Sequence, residues 1–121
     1  MRAFFVLTTL LTLTCLGCSS APEPTGDEDL SGLTLDVYWA EWCGPCRQMK
    51  PNWIRLAENY PELEMSRINI DKNQRAASQA EIESIPQAVV IYKGREIGRV
   101  IGLLDYNAVV HRLARMKAAN P

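Results

Sequence analysis

The chain has little histidine and no excess of charge. His111 is its one histidine, and thirteen lysines and arginines are interspersed with fourteen aspartates and glutamates for a formal net charge of −1. That balance leaves no basic stripe for nucleic acid and no polybasic segment for anionic lipid. No internal repeat is present. A membrane-spanning helix needs about 20 apolar residues, and the longest apolar run, from Ala3 to about Gly17, is shorter and interrupted by threonines.

Cysteine is scarce but ordered. The four cysteines form two C-x-x-C pairs, Cys15/Cys18 and Cys43/Cys46, and their separation is only slightly longer than a zinc-ribbon spacing. The surroundings of the first pair argue against a shared metal site. A single cation, Arg2, precedes the apolar run, which stops at Leu16-Gly17-Cys18 and is followed by Ser19 and Ser20. This is the pattern of an export signal. It resembles the bacterial lipobox, with Cys15 standing where leucine is usual. Residues 1–17 are therefore read as a lipoprotein-type signal peptide with Cys18 as the lipid anchor; an ordinary cleaved signal and an uncleaved anchor are the alternatives. Residues 18–31, which include SSAPEPTGDED, hold prolines, a glycine and acids with nothing to bury, and read as a flexible tether. Cleavage removes Cys15 and acylation consumes the Cys18 thiol. A structural zinc site needs four ligands, and Cys43, Cys46 and His111 are too few, so neither metal nor cofactor is expected.

Export places the rest, residues 32–119, in an oxidising compartment, where paired cysteines form disulfides. A loop as short as Cys43–Cys46 contributes little chain-entropy stabilisation, so the pair points to chemistry rather than to stapling.

The remainder reads as one α/β domain. Leu33 to Trp39 is a β-rich run bounded by Gly32. Cys46, Met49, Trp53, Leu56, Ala57 and Tyr60 recur at helical spacing, leaving Arg47, Lys50, Asn52 and Glu58 for solvent. Pro51 falls inside that helix, where it removes one backbone donor, and Pro61 ends it. Glu64 to Ile70 alternates as a strand, and Asp71 is a candidate N-cap for a helix reaching about Ile82. Ala88–Tyr92 and Glu96–Ile101, joined by a turn at Lys93-Gly94-Arg95, read as a hairpin. Asp105 caps a last helix with the stripe Tyr106, Val109, Val110, Leu113 and Met116. The order is β-α-β-α-β-β-α, with the first two strands parallel.

Trp42-Cys43-Gly44-Pro45-Cys46 lies between the first strand and its helix. Free N–H groups and the helix dipole favour an anion there, and the thiolate is the nucleophile of disulfide exchange. Cys46, one turn further in, is expected to be the more buried of the two.

WAEWCGPC with the following Pro51, together with SIPQAVVIYKGREIGRVIG about forty residues later, resembles the thioredoxin family from about Leu33 to Met116. The resemblance implies a minimal thioredoxin fold, a central mixed sheet flanked by helices, without the family's first strand and helix. The sheet then exposes an edge or covers it with Leu30-Ser31-Gly32. It further implies that Cys43 attacks and Cys46 resolves, and that Pro86 is the family's cis-proline, leaving Ile85 to pair with a substrate strand. Trp42, Gly44 and Pro45 complete the implied substrate-binding set. His111 is expected to be a surface or half-buried helix residue.

One implied group is missing. The family often carries a buried acid six residues before the first cysteine, and that position holds Val37. Asp36 is one residue off and points to the opposite face, while Arg67 stands near the lysine that accompanies the acid. Glu41 or water is left to relay the proton. The reading is a monomeric extracytoplasmic thiol–disulfide oxidoreductase that reduces protein disulfides, fed by a membrane electron-donor protein and held by its lipid anchor. A protein disulfide oxidase or isomerase, and a redox-silent binding module of the same fold, are the alternatives.

Overall fold

Leu33, Leu35 and Val37 alternate with Thr34 and Asp36, and β1 (Leu33–Trp39) buries the first three. The computed structural model describes residues 27–121. The expected signal, the Cys18 anchor and all but the last residues of the tether lie outside the described residues. The sheet order is β2-β1-β3-β4. β2 (Glu64–Asn69) runs parallel to β1 from Thr34↔Glu64 to Trp39↔Asn69. β3 (Gln87–Tyr92) runs antiparallel to β1 from Leu33↔Tyr92 to Tyr38↔Gln87, and β4 (Arg95–Ile101) is antiparallel to β3. The hairpin turn is tighter than expected. Lys93 and Gly94 both take positive φ, 51° and 75°, as a two-residue type I′ turn requires, and Arg95 joins the ladder opposite Tyr92.

α1 (Gly44–Asn59) and α3 (Tyr106–Ala118) cover one face of the sheet. Met49, Trp53 and Leu56 meet Val109, Val110 and Leu113 over Leu35, Val37, Val90 and Val100. The chain remains helical through Pro51. Two positions on α1 depart from the periodic reading: Ala57 is exposed and Asn52 is half-buried. The Asn52 amide donates to the Leu104 carbonyl at 2.8 Å, so a polar side chain at the edge of the apolar stripe ties the helix to a loop. Asp105 caps α3 as expected, accepting from the Ala108 N–H at 2.8 Å.

α2 (Gln74–Gln79) lies over the other face, where Ala76, Gln79 and Ala80 share a shallow groove with Asp36, Tyr38 and Ile68. It is shorter than its expected span, and Asp71 does not cap it. Asn73 stands at its N-cap, and the Asp71 carboxylate is engaged elsewhere. The helix stops because Glu81 turns to φ 53°. The Glu81 N–H then reaches the Ser78 carbonyl at 3.1 Å and the Ile82 N–H the Ala77 carbonyl at 2.9 Å, a Schellman closure with glutamate in place of glycine.

Ahead of β1, Leu30 is fully buried in the main core. The Asp29 carboxylate lies 2.8 Å from Lys117 Nζ and accepts from Ser31. The Lys117 ammonium, helped by the Ser31 hydrogen bonds, holds the Asp29 carboxyl well below the usual carboxylate range. Glu28 meets His111, exposed on α3, at 3.6 Å. Leu30 thus enters the core rather than lying along β2, and among the described residues β2 pairs only with β1.

Candidate functional site

Trp39 ends β1 and Gly44 begins α1, so Ala40–Cys43 must turn the chain from sheet to helix. The Cys43 N–H bonds the Ala40 carbonyl at 3.3 Å and closes that turn. Cys43 is the N-cap of α1, extended at φ −84° and ψ 105°, and its Sγ accepts from the Cys46 N–H at 3.2 Å. Pro45 occupies the first turn, where its missing donor costs nothing. No acid lies in that turn, so the positive end of the helix acts on the sulfur uncompensated.

Cys43 and Cys46 are joined as a disulfide, with Cα atoms 5.2 Å apart. The expected difference in burial is absent: Cys43 is 4% exposed and Cys46 6%. Both cysteines belong to one buried cluster with Ala40, against which Ile85 packs, and Cys46 also borders a cavity.

Pro86 follows a cis Ile85–Pro86 bond. Ile85 packs against the cysteine cluster and lies outside the ladder, whose pairing with β1 begins at Gln87. Trp42 is 66% exposed, and its indole Nε1–H donates to Asp71 Oδ2 at 2.9 Å. The Asp71 backbone N–H in turn donates to Asn69 Oδ1 at 2.9 Å.

Sequence reasoning carried Gly102, the end of SIPQAVVIYKGREIGRVIG, into the resemblance but did not place the loop after β4 at the site. Ile101 pairs with Gln87, beside Pro86, and the Gly102 N–H donates to the Pro86 carbonyl at 2.9 Å. Gly102 has φ 83°, which favours glycine. Leu104 fixes the other end of the loop through its N–H to Met49 Sδ at 3.3 Å and its carbonyl to Asn52. Ile101 and Leu103 are 50% and 52% exposed, large apolar surface next to the cis-proline. The signal was present as V-I-G-L-L, a glycine between apolar residues that no helix or strand uses.

On the Cys46 side lies a cavity of about 320 Å³. Trp39 at the end of β1 and Ala40 and Glu41 in the turn after it form part of its wall, α1 supplies Cys46, Arg47 and Lys50, and β2 supplies Arg67. The Arg67 guanidinium stands 4.9 Å from the centroid of a Trp39 ring, and Arg47 Nη1 donates to the Glu41 carbonyl at 2.9 Å. Asp36 faces the opposite side, in the groove under α2, and Val37 is buried in the main core. Among the described residues no group of three or more His, Cys, Asp or Glu is placed to hold a metal.

Comparison with known proteins agrees with this geometry. Residues 29–115 match the family model for thioredoxin. The chain is similar to the thioredoxin of Chlamydia pneumoniae, 44% identical over 75 residues that cover 62% of this chain and 74% of that protein. It is 33% identical to the thioredoxin of Chlamydia trachomatis over 77% of this chain and 91% of that one. Among solved structures, the thioredoxin of Fasciola hepatica superposes with a TM-score of 0.65 at 31% identity, over 72% of this chain and 84% of the other.

Proposed function

The chain belongs to the thioredoxin family and is a thiol–disulfide oxidoreductase, and from that premise we propose that it reduces protein disulfides outside the cytoplasm. The observation that carries the redox role is the Cys43–Cys46 disulfide at the N-terminus of α1, packed against Ile85 and next to the cis-proline. In the reduced protein, the Cys43 thiolate attacks a substrate disulfide, forming a mixed disulfide and releasing one substrate thiol. Cys46 then attacks Cys43, and the second substrate thiol leaves. Trp42, Gly44, Pro45, Ile85 and Pro86 bind the substrate chain; Ile101 and Leu103 add apolar surface on the same side. The direction rests on Gly44-Pro45 between the cysteines, the pairing of the family's reducing members.

Location rests on the apolar run that ends at Gly17-Cys18. The reading is a signal removed after Gly17, a lipid on Cys18 and a domain held at the outer face of a bacterial membrane. Reduction there consumes electrons that no soluble pool supplies, so a membrane electron-donor protein is the implied partner. Two assays test this reading. Fatty-acid labelling of the expressed chain is expected to mark a mature protein beginning at Cys18, and a Cys18→Ala chain is expected to stay unlabelled. A Cys46→Ser chain is expected to accumulate mixed disulfides with exported proteins. Capture of cytoplasmic proteins alone would contradict the location.

A further inference from the structure

We propose that Lys50 and Arg67, with Arg47 beside them, stabilise the Cys46 thiolate as it forms, so that the resolving thiol gives its proton to solvent without a buried base. The proposal rests on the reading of Cys46 as the resolving thiol. The charged groups around the Cys46 cavity come from three segments: Glu41 from the turn after β1, Arg47 and Lys50 from α1, and Arg67 from β2. Three cations therefore share the cavity with one carboxylate. That carboxylate is committed outward, 3.8 Å from Lys72 Nζ, with its side chain 72% exposed. Among the described residues no carboxylate lies within ion-pair distance of Arg47, Lys50 or Arg67. Asp71 is held by the Trp42 indole, and Asp36 lies across the sheet. The residue in register with Arg67 is Val37, an alkyl group that cannot take a proton.

An anion formed at Cys46 thus meets positive charge and no competing buried acid. Opposite charge lowers a thiol's pKa. Glu41, Arg47, Lys50 and Arg67 are all exposed, so the cavity opens to water that can carry the proton away. In the mixed disulfide the Cys46 thiol loses its proton to that water. The thiolate's electron pair forms the Cys46–Cys43 bond as the Cys43–substrate bond breaks. The departing substrate thiolate is protonated by solvent. No outside oxidant is consumed.

The test uses the full chain carrying Cys43→Ser. Alkylation of Cys46 is followed against pH by peptide mass spectrometry, which separates it from Cys15 and Cys18. Neutralising both cations, Lys50→Gln with Arg67→Gln, is expected to raise the alkylation midpoint by about one pH unit. The charge-retaining pair Lys50→Arg with Arg67→Lys is expected to leave it in place, a distinction that a merely structural role would not produce. In the chain with both cysteines, Glu41→Gln is expected to leave the release rate unchanged. An unmoved midpoint in the doubly neutralised chain, or a tenfold slower release in Glu41→Gln, would overturn the proposal. The parent reading is tested separately: a Cys46→Ser chain that turns over a protein disulfide without stopping at a mixed disulfide would strike the resolving role, while the midpoint alone decides the cation effect.

Discussion

Cys43 and Cys46 are nearly equally buried, yet their surroundings differ in kind. Cys43 caps the helix N-terminus, and Cys46 borders an open cationic cavity. Cys43→Ser is expected to abolish turnover. Cys46→Ser is expected to keep the first attack and stop at a mixed disulfide, visible as a mass increase equal to the bound substrate. Trp42 shows how a surface residue is fixed. Its indole is held by Asp71, which is itself oriented by its backbone bond to Asn69. Asp71→Ala is expected to raise KM for a protein disulfide severalfold with kcat little changed, because it frees the docking surface and leaves the sulfurs alone. An exposed hydrogen bond contributes about 1 kcal/mol or less, so the denaturation midpoint should barely move.

At the scale of elements, caps and turns decide boundaries. Asp105 satisfies the Ala108 N–H at the start of α3, and Asp105→Ala is expected to cost about 1 kcal/mol in urea unfolding. Gly94 is at φ 75° in the β3–β4 turn, and Gly94→Ala should cost a similar amount, about 1–2 kcal/mol. Most of these elements were legible in the sequence because their apolar residues repeat with the period of a helix or strand. Tyr106, Val109, Val110 and Leu113 are the clearest case, and all four are buried. α2 was not legible in its bounds, since Gln74–Gln79 buries no residue and leaves no stripe to read. Asp71 looked like a cap because nothing local reveals that its carboxylate is taken by Trp42, 29 residues earlier. The Ile101–Leu103 loop stayed hidden for the same reason. Its place beside the cis-proline depends on the Gly102–Pro86 bond between distant segments. The Val37 position was legible as an absence, but the cationic cavity was not, because Lys50 and Arg67 come to it from different elements, α1 and β2.

Across the whole molecule, the chain enters β1 at Leu33 and reaches the site beyond Trp39, at the other end of the strand. Seven residues at about 3.3 Å each separate the two by roughly 20 Å. On the proposed reading, a tether from Cys18 would hold the domain by the end remote from the dithiol. That entry point is clasped to α3 by Asp29 and Lys117. The Asp29 carboxyl is held below its ordinary range in the folded protein. Its contribution is therefore full above the unfolded value of about 3.9 and is lost as pH falls toward the lowered folded value. Asp29→Asn is expected to make stability less steeply dependent on pH below about 4, with Lys117→Gln giving the same change, as read from urea midpoints across that range.

This dithiol is proposed to donate electrons to protein disulfides. Its most direct test is the reduction potential of the Cys43–Cys46 pair, measured by equilibration against a thiol buffer. The account predicts a value near about −270 mV, that of a reductant. A value between about −120 and −180 mV, in the range of disulfide-forming and isomerising proteins, would contradict it.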